Sequence, residues 1–354
     1  MGDEIIIERM KISERPQVLD FLRRAYPDNP RQSDPQFWNW HFTDLPNVDQ
    51  GLLPVWLAKS GDRIAGQLGV LTVDLNIGDR QVTAFWLLDM IVDEDFRRRG
   101  IAKQLSLAVE RDSPYLLGVN TDQQHAPKLL QSLGWVKVAK IPRYHKILFP
   151  GNSLKGVSQK VVNFLASPLR PSSAKTLFES GTIRFVRQFD SAFDELWQRG
   201  RKQQSCSVTR NAEMLKWQFS RQPGKQFDVL GFYTGNRLCG YVVLFFRKPG
   251  RAGSIEKGAI SDIFYEAENS REIVDSLIKG ALEIAIERRA GGLVADAMDP
   301  LLEERFRRYG FWKVNSQLQL MAKSPDDQAL VYDPKSWFLT RGDSDISIFE
   351  DYNI

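Results

Sequence analysis

The stretch of this sequence richest in chemical potential is FWLLDMIVDEDFRRRGIAK, residues 85–103. An apolar run ends at Val92, four residues turn the chain, and Arg97-Arg98-Arg99-Gly100-Ile101-Ala102 opens a helical pattern that continues into Lys103. The first turn of a helix exposes N–H groups that have no intrahelical partner, and it carries a partial positive charge. Three arginines add to that field, Gly100 lets another group approach the backbone closely, and the small Ala102 keeps the next turn open. Together these residues form a pyrophosphate cradle without a P-loop signature. An isolated hexapeptide of this kind reads as a solvated basic loop capping an ordinary helix. Here it follows a buried strand and starts a helix in mid-domain, so the cradle is the preferred reading.

Candidates for proton transfer are few. Asp89 stands in the middle of the apolar run, where a carboxylate is costly unless paired and where burial raises its pKa towards that of a useful base. Asp262 holds the corresponding place in the second half of the chain, which favours a structural duty for both. His125 precedes a later helical pattern and titrates near neutrality unless perturbed. A surface histidine or a helix-start contact is the plainer reading there. His41, His125 and His145 share no metal-ligand spacing, and Cys206 and Cys239 are too few for a zinc site or a disulfide framework, so no metal is expected. Trp38, Trp40 and Phe42 suggest a sugar-stacking platform, but their partial recurrence at Trp217 and Phe219 favours core packing.

The elements that must position these groups occur twice. Trp40-His41-Phe42 returns as Trp217-Gln218-Phe219, 177 residues on, and Gly61-Asp62-Arg63 as Gly235-Asn236-Arg237, 174 residues on. Leu88-Asp89-Met90-Ile91 answers Ser261-Asp262-Ile263-Phe264, and Gly134-Trp135 answers Gly310-Phe311, with offsets of 173 and 176. Four pairs in one order indicate a duplicated fold. Within the first copy the patterns predict a short strand at 5–7, a helix over 15–25, a hairpin turning at 61–63, and a doubly covered strand over 83–92. A helix after Gly100, a strand at 115–119, a helix over 126–133 and a strand from Trp135 follow. The predicted class is therefore α/β, layered, with two tandem domains that each hold a mixed, twisted sheet flanked by helices. Their expected limits are 1–149 and 176–325, with a helix-bearing linker over 150–175 and an extension over 326–354. The linker's basic amphipathic stretch, 157–166, is preferred as a packed helix over one lying on a membrane. The extension is open between a packed tail and a flap at the substrate.

Residues 85–103 resemble motif A of the GNAT superfamily of acyl-CoA-dependent N-acyltransferases, with Arg97, Gly100 and Ala102 on the Q/R-x-x-G-x-G/A pattern. The stretch from Leu117-Gly118-Val119-Asn120 to Gly134-Trp135 is similar to the family's motif B. The resemblance covers about residues 4–148 and reaches the second half only through the repeat. It implies an acyl-CoA, first of all acetyl-CoA, as co-substrate, its pyrophosphate on the N–H groups of Arg98, Arg99, Gly100, Ile101, Ala102 and Lys103. Met90, Ile91 and Val92 would pair with the pantetheine arm and polarise the thioester carbonyl, and Asn120 would contact the pantetheine or acyl end. The implied reaction is direct attack by a neutral amine, which needs a base for the ammonium proton and an acid for the thiolate. The family's usual acid is a tyrosine four residues before the motif B glycine. Leu130 stands there, leaving water or a residue such as Tyr144 for the role. In the second half Glu266-Ala267-Glu268-Asn269-Ser270-Arg271 replaces motif A, is acidic and lacks the glycine, so acyl-CoA binding is expected in the first half alone.

Composition narrows the alternatives. The formal charge of +4 over 354 residues, without a basic stripe carrying aromatics, argues against nucleic acid. No apolar stretch reaches 18 residues, the N-terminus lacks a signal-peptide pattern and two cysteines suit a reducing compartment, so a cytoplasmic protein is expected; the resemblance implies a small-molecule amine as partner. The FWNW element, Asp89 and the TRGDSD tail are similar to GNAT members tied to bacterial polysaccharide synthesis, which implies an amino sugar or sugar nucleotide as acceptor. The competing reading is a non-catalytic acyl-CoA sensor or scaffold that keeps the fold.

Overall fold

The computed structural model describes residues 4–46, 48, 51–121, 126–149, 181–247, 257–325 and 329–343. In the first half a strand, β1 (Ile5–Lys11), leads to helix α1 (Arg15–Ala25). Pro16 lies in the first turn of α1, where its missing N–H costs nothing, and Val18, Leu19, Phe21 and Leu22 form the buried stripe. Helix α2 (Pro35–Phe42) is capped by the Asp34 carboxylate, which accepts from the N–H groups of Gln36 and Phe37 at 2.8 and 3.0 Å. Strands β2 (Leu52–Ser60), β3 (Arg63–Ile77) and β4 (Arg80–Val92) follow, then α3 (Ile101–Asp112), β5 (Leu116–Thr121), α4 (Ala126–Ser132), β6 (Val136–Lys140) and β7 (Arg143–Ile147).

The second half repeats this order. It runs β8 (Thr182–Phe185), α5 (Ser191–Gly200), β9 (Cys206–Val208) and α6 (Ala212–Leu215), which continues as a π-turn to Ser220. Next come β10 (Phe227–Thr234), β11 (Arg237–Arg247), β12 (Lys257–Tyr265), α7 (Ser270–Glu287), β13 (Gly292–Met298) and α8 (Pro300–Arg308). Strands β14 (Trp312–Val314) and β15 (Leu318–Lys323), the short α9 (Ala329–Tyr332) and β16 (Leu339–Thr340) close the described chain.

Two mixed sheets result, each flanked by helices, and each borrows a strand from the other half. The first sheet has the order β1-β2-β3-β4-β5-β15-β6, so β15 lies between β5 and β6. The second has the order β14-β7-β13-β12-β11-β10-β8, so β7 sits between β13 and β14. Neither 1–149 nor 176–325 is therefore a complete sheet on its own. The predicted linker, 150–175, lies outside the described residues.

The halves are further joined by β9, which pairs with the end of β3, and by a hydrophobic cluster containing Trp40, Leu71, Leu75, Trp217, Met298 and Trp337. The repeated tryptophans meet at its centre. Trp40 and Trp217 stack at 4.8 Å, and each indole N–H donates to the other's backbone carbonyl, at 2.8 and 2.7 Å. Trp38, Trp40 and Phe42 are all buried, so these aromatics are core and not a sugar platform.

Candidate functional site

Strand β4 pairs with β3 along its length, but the pairing slips by one residue near its end. Gly69 faces Leu88 and Gln67 faces Ile91, so Asp89 and Met90 both stand opposite Leu68. This is a β-bulge, and it places Asp89 at φ +44 in the left-handed region. On its other side β4 is bonded to β5 only through Phe85–Leu116 and Trp86–Leu117. Beyond those pairs the two parallel strands part. The facing ends, Met90, Ile91 and Val92 on one side and Val119, Asn120 and Thr121 on the other, are half-buried. A wedge thus opens between two strands of the sheet, its β4 wall unpaired with β5 beyond Trp86, and the Val92 carbonyl accepts from the Arg97 guanidinium at 3.4 Å.

The wedge leads to the start of α3. Gly100 is the N-cap at φ +75 and no side chain caps the helix, so the first N–H groups of α3 are unclaimed by side chains. Nothing lies within 4 Å of where a Gly100 Cβ would be, which leaves open space above the turn. Arg97, Arg98, Arg99 and Lys103 are exposed around it, while Ile101 is buried and anchors the helix. Arg99 and Arg63 each stack on the Phe96 ring at 5.0 Å, and Arg63 also bridges Asp93 (3.0 Å) and Asp95 (2.6 Å). Phe96 is therefore gripped by two guanidinium groups, which holds the turn that carries the three arginines.

Asp89 points to the α1 and α2 side. Gln32 donates its amide N–H to Oδ1 at 3.4 Å, and burial pushes the carboxyl up to about 6. Its neighbours are polar. Burial and then the Asp89 charge push the Tyr26 hydroxyl up, and Gln67 is buried with both amide atoms lacking a hydrogen-bond partner among the described residues. His41 is buried among aromatic rings and held neutral, pushed down to about 3 by burial and then by Arg31.

The second half has the same wedge in outline, with different contents. Strands β12 and β13 are paired at Gly258–Leu293, Ala259–Val294 and Ile260–Ala295 and then part, with a bulge beside Asp262. The gap is filled by the chain's own tail. Strand β16 pairs with the end of β13 through Ala297–Thr340 and Met298–Leu339, and a 3-10 turn, Arg341–Asp343, follows in the gap. Gly342 sits so tightly that a Cβ there would lie 3.1 Å from the Ser261 carbonyl oxygen. Asp262 accepts from Thr340 and Tyr241, both at 2.6 Å, and from Arg210 at 3.3 Å, while Arg210 also pairs with Asp343. The tail is thus a packed plug as far as Asp343.

Ahead of α7 the turn is four residues shorter than ahead of α3. Asn269 at φ +54 takes the place of Gly100, and the stretch matching Phe96 to Arg99 is absent. Glu266 and Glu268 are tied to Arg237 at 2.8 and 3.4 Å, repeating Asp93, Asp95 and Arg63. With the arginine stretch absent, only the buried Glu266 and the exposed Glu268 stand before this helix as charged groups.

The structure thus gathers Asp89, Met90, Ile91, Val92, Arg97, Arg98, Arg99, Gly100, Ile101, Ala102, Lys103 and Asn120 around one wedge. His125 lies outside the described residues. Tyr144 is removed from the set: it stands on β7, inside the second sheet, and packs on Phe306 at 5.4 Å. Leu130 is buried in the α3-side core and supplies no acid. Arg63, Gln32 and Tyr26 join the site without having been read from the sequence; of these only Arg63 had a signal, its recurrence as Arg237. Among the described residues no group of three or more His, Cys, Asp or Glu could hold a metal ion, and no helix is long and apolar enough to cross a membrane.

Residues 7–114, which contain α1, the bulged β4, the wedge's first wall and α3, match the family model of an acetyltransferase (GNAT) domain. This segment is similar to GNAT acetyltransferase domains. Human N-acetyltransferase 8 is 32% identical to the chain over 110 residues, which is 28% of this chain and 47% of that protein, so the chain spans about half of this relative. The fold extends further than the sequence likeness. A GCN5-related N-acetyltransferase from Anabaena variabilis superposes with a TM-score of 0.63 at 12% identity, covering 93% of this chain and 75% of its own. The N-myristoyltransferase of Saccharomyces cerevisiae, solved with bound myristoyl-CoA, gives 0.57 at 11% identity over 90% of this chain and 82% of that one. Both neighbours therefore share the architecture of nearly the whole molecule, beyond the GNAT-like segment itself.

Proposed function

We propose that this chain transfers an acyl group, in the first instance acetyl, from acyl-CoA to an amine, and that the GNAT domain in the first half does the chemistry. The observation that carries the reading is the continuity of the wedge between β4 and β5 with the uncapped start of α3 at Gly100. Such a channel suits a long thiol ester with a pyrophosphate at its far end. The N–H groups from Arg98 to Lys103 would hold the pyrophosphate, with Arg97, Arg98 and Arg99 screening its charge. Backbone groups of Met90, Ile91 and Val92, freed by the bulge and the splay, would pair with the pantetheine arm and polarise the thioester carbonyl. Asn120 on the opposite wall would orient the same arm.

The amine would arrive from the α1 side, where Asp89 lies. A carboxyl near 6 is ionised at neutral pH yet basic enough to take a proton in the transition state, which suits a general base. His125 is the second candidate for this duty. With Leu130 apolar at the acid position, water would protonate the thiolate. The second half, shorter before α7 and plugged by the tail, would brace the first and bind no acyl-CoA.

An amino sugar or sugar nucleotide is the acceptor class that the sequence resemblance implies. Supplying acetyl-CoA and a library of primary amines, and following free CoA, tests the reading. Release with at least one amine is the expected result. Acetyl-CoA binding at micromolar affinity with no release for any amine would instead favour the sensor reading, to which Leu130 is the one observation that points.

A further inference from the structure

An open groove of about 350 Å³ runs beside the end of β4 on the α1 side, adjoining the cradle at Arg97. That volume is at the small end of ligand pockets, which run from roughly 300 to 1,000 Å³. One wall is apolar and comes from α1 and the turn after it, through Phe21, Ala25 and Pro27; the other is formed by Ile91 and Val92. Asp89 is two residues before Ile91 on β4 and is held by Gln32 from the segment that follows α1, so the groove opens on the side of β4 where the proposed base is held. Its rim is charged, and the charges do not cancel locally. Arg97 pairs with Glu94 at 3.2 Å, but Asp93 and Asp95 share the single guanidinium of Arg63. Arg24, exposed in the last turn of α1, has no acidic partner among the described residues. The groove therefore offers one surplus negative charge on the β4 side and one uncompensated positive charge on the α1 side.

We propose that the acceptor is a small primary amine that also carries an anionic group, with Arg24 as the residue that receives the anion. The inference rests on the acyltransferase reading of this site and names its substrate class. The Asp93–Arg63–Asp95 cluster would draw in the ammonium form, Asp89 would take its proton, and the anion would fix the molecule in one orientation along the groove. A guanidinium suits this duty because it binds phosphate or carboxylate through two parallel N–H donors.

The test is equilibrium binding to the full chain saturated with CoA, using pairs that differ only in the anion. Glucosamine 1-phosphate is set against glucosamine, and 4-aminobutyrate against butylamine; the first pair probes a phosphate and the second a carboxylate. At least one anionic member should bind about ten-fold or more tightly than its neutral partner, an advantage that falls as salt is raised. Arg24→Gln, an exposed change, should bring the two members of that pair within about two-fold of each other. Equal affinity within both pairs, or an advantage that survives Arg24→Gln, overturns the proposal. Tight, Arg24-dependent binding without release of CoA from acetyl-CoA would uphold the groove's specificity and overturn the transferase reading instead.

Discussion

The two wedges of this molecule start from one plan and end as opposites. In each, a bulged strand carries an aspartate and parts from its parallel neighbour, and an arginine from the preceding hairpin clamps the turn that leads to a helix. In the first half the gap is open and the helix start is basic and uncapped. In the second the gap holds Leu339 to Asp343, and the helix start carries buried and exposed carboxylates. The difference teaches that the fold needs its wedge filled or solvated but does not care by what. The wedge that supplies its own contents is the one proposed as a brace, and the open one is the proposed binding site.

The largest effect should come from the plug. Asp262 faces Arg210, Tyr241 and Thr340 in a buried network, and removing its charge leaves Arg210 with Asp343 alone. Breaking a buried ion pair from one side costs roughly 3–5 kcal/mol. Arg210→Met, which leaves Asp262 and Asp343 together without their shared cation, should therefore lower unfolding free energy by about that amount in a urea titration. Asp262→Asn keeps the Arg210–Asp343 pair and should lose less. A variant as stable as the parent would mean that the tail is held by other contacts.

The next largest effect belongs to the open side. A valine at position 100 would need φ +75, a region that branched residues avoid, and would project into the open space proposed for the phosphate. Gly100→Val should weaken CoA binding by about a hundred-fold or more, measured by calorimetric titration, with far-UV circular dichroism unchanged. The unaltered protein should take up one CoA per chain. Two equivalent sites would contradict the assignment of the second half as vacant.

Much of this contrast could be read before any coordinates. The motif at Arg97 to Ala102, the strand before it, the helices from Arg15 and Ala126, and the fourfold recurrence all depend on local patterns, which short-range physics sets. What stayed hidden was non-local. Strands β7 and β15 have ordinary β patterns, and nothing in Arg143–Ile147 or Leu318–Lys323 says which sheet will accept them. That is why Tyr144 could be considered for the first site while lying in the second sheet. The acidic stretch at Glu266 was legible as a lost motif, but its four-residue shortening shows only once Gly100 and Asn269 are seen to be equivalent caps. Asp89 and Asp262 look alike in sequence because their difference lies in their partners, Gln32 in one case and Arg210 with the tail in the other.

That last pair can be made to differ in sign. The Asp89 carboxyl is raised from 3.8 to about 6 by burial, so its ionised form is better solvated in the unfolded chain. Below about pH 4 the group is protonated in both states and adds no penalty; the penalty grows up to about pH 6 and is constant above it. Asp89→Asn keeps the shape, and asparagine tolerates the left-handed backbone at this position. The variant should gain roughly 2 kcal/mol of stability at pH 7.5 and nothing at pH 4, where Asp262→Asn loses stability at neutral pH. If Asp89 is the base, kcat/KM of the parent should rise with pH through about 6, and the variant should lose most of its activity together with that limb. A destabilised Asp89→Asn protein would return the residue to the structural role of its counterpart.

The smallest effect should distinguish the two clamps. Arg63 holds Asp93, Asp95 and the Phe96 ring and so fixes the turn before α3, where the proposed phosphate site lies, whereas Arg237 holds Glu266 and Glu268 before α7, for which no ligand is proposed. Arg63→Met should raise the KM for acetyl-CoA by about five-fold with little change in kcat, the pattern of lost uniform binding. Arg63→Lys, which keeps the charge but not the planar stacking group, should recover part of that loss. Arg237→Met should leave the KM unchanged and weaken only the second half, since Glu266 keeps Arg199 as its remaining partner at 2.7 Å. Equal effects of the two methionine variants on acetyl-CoA would mean that the clamp serves the common fold, and that the cradle owes its geometry to Gly100 and the arginines alone.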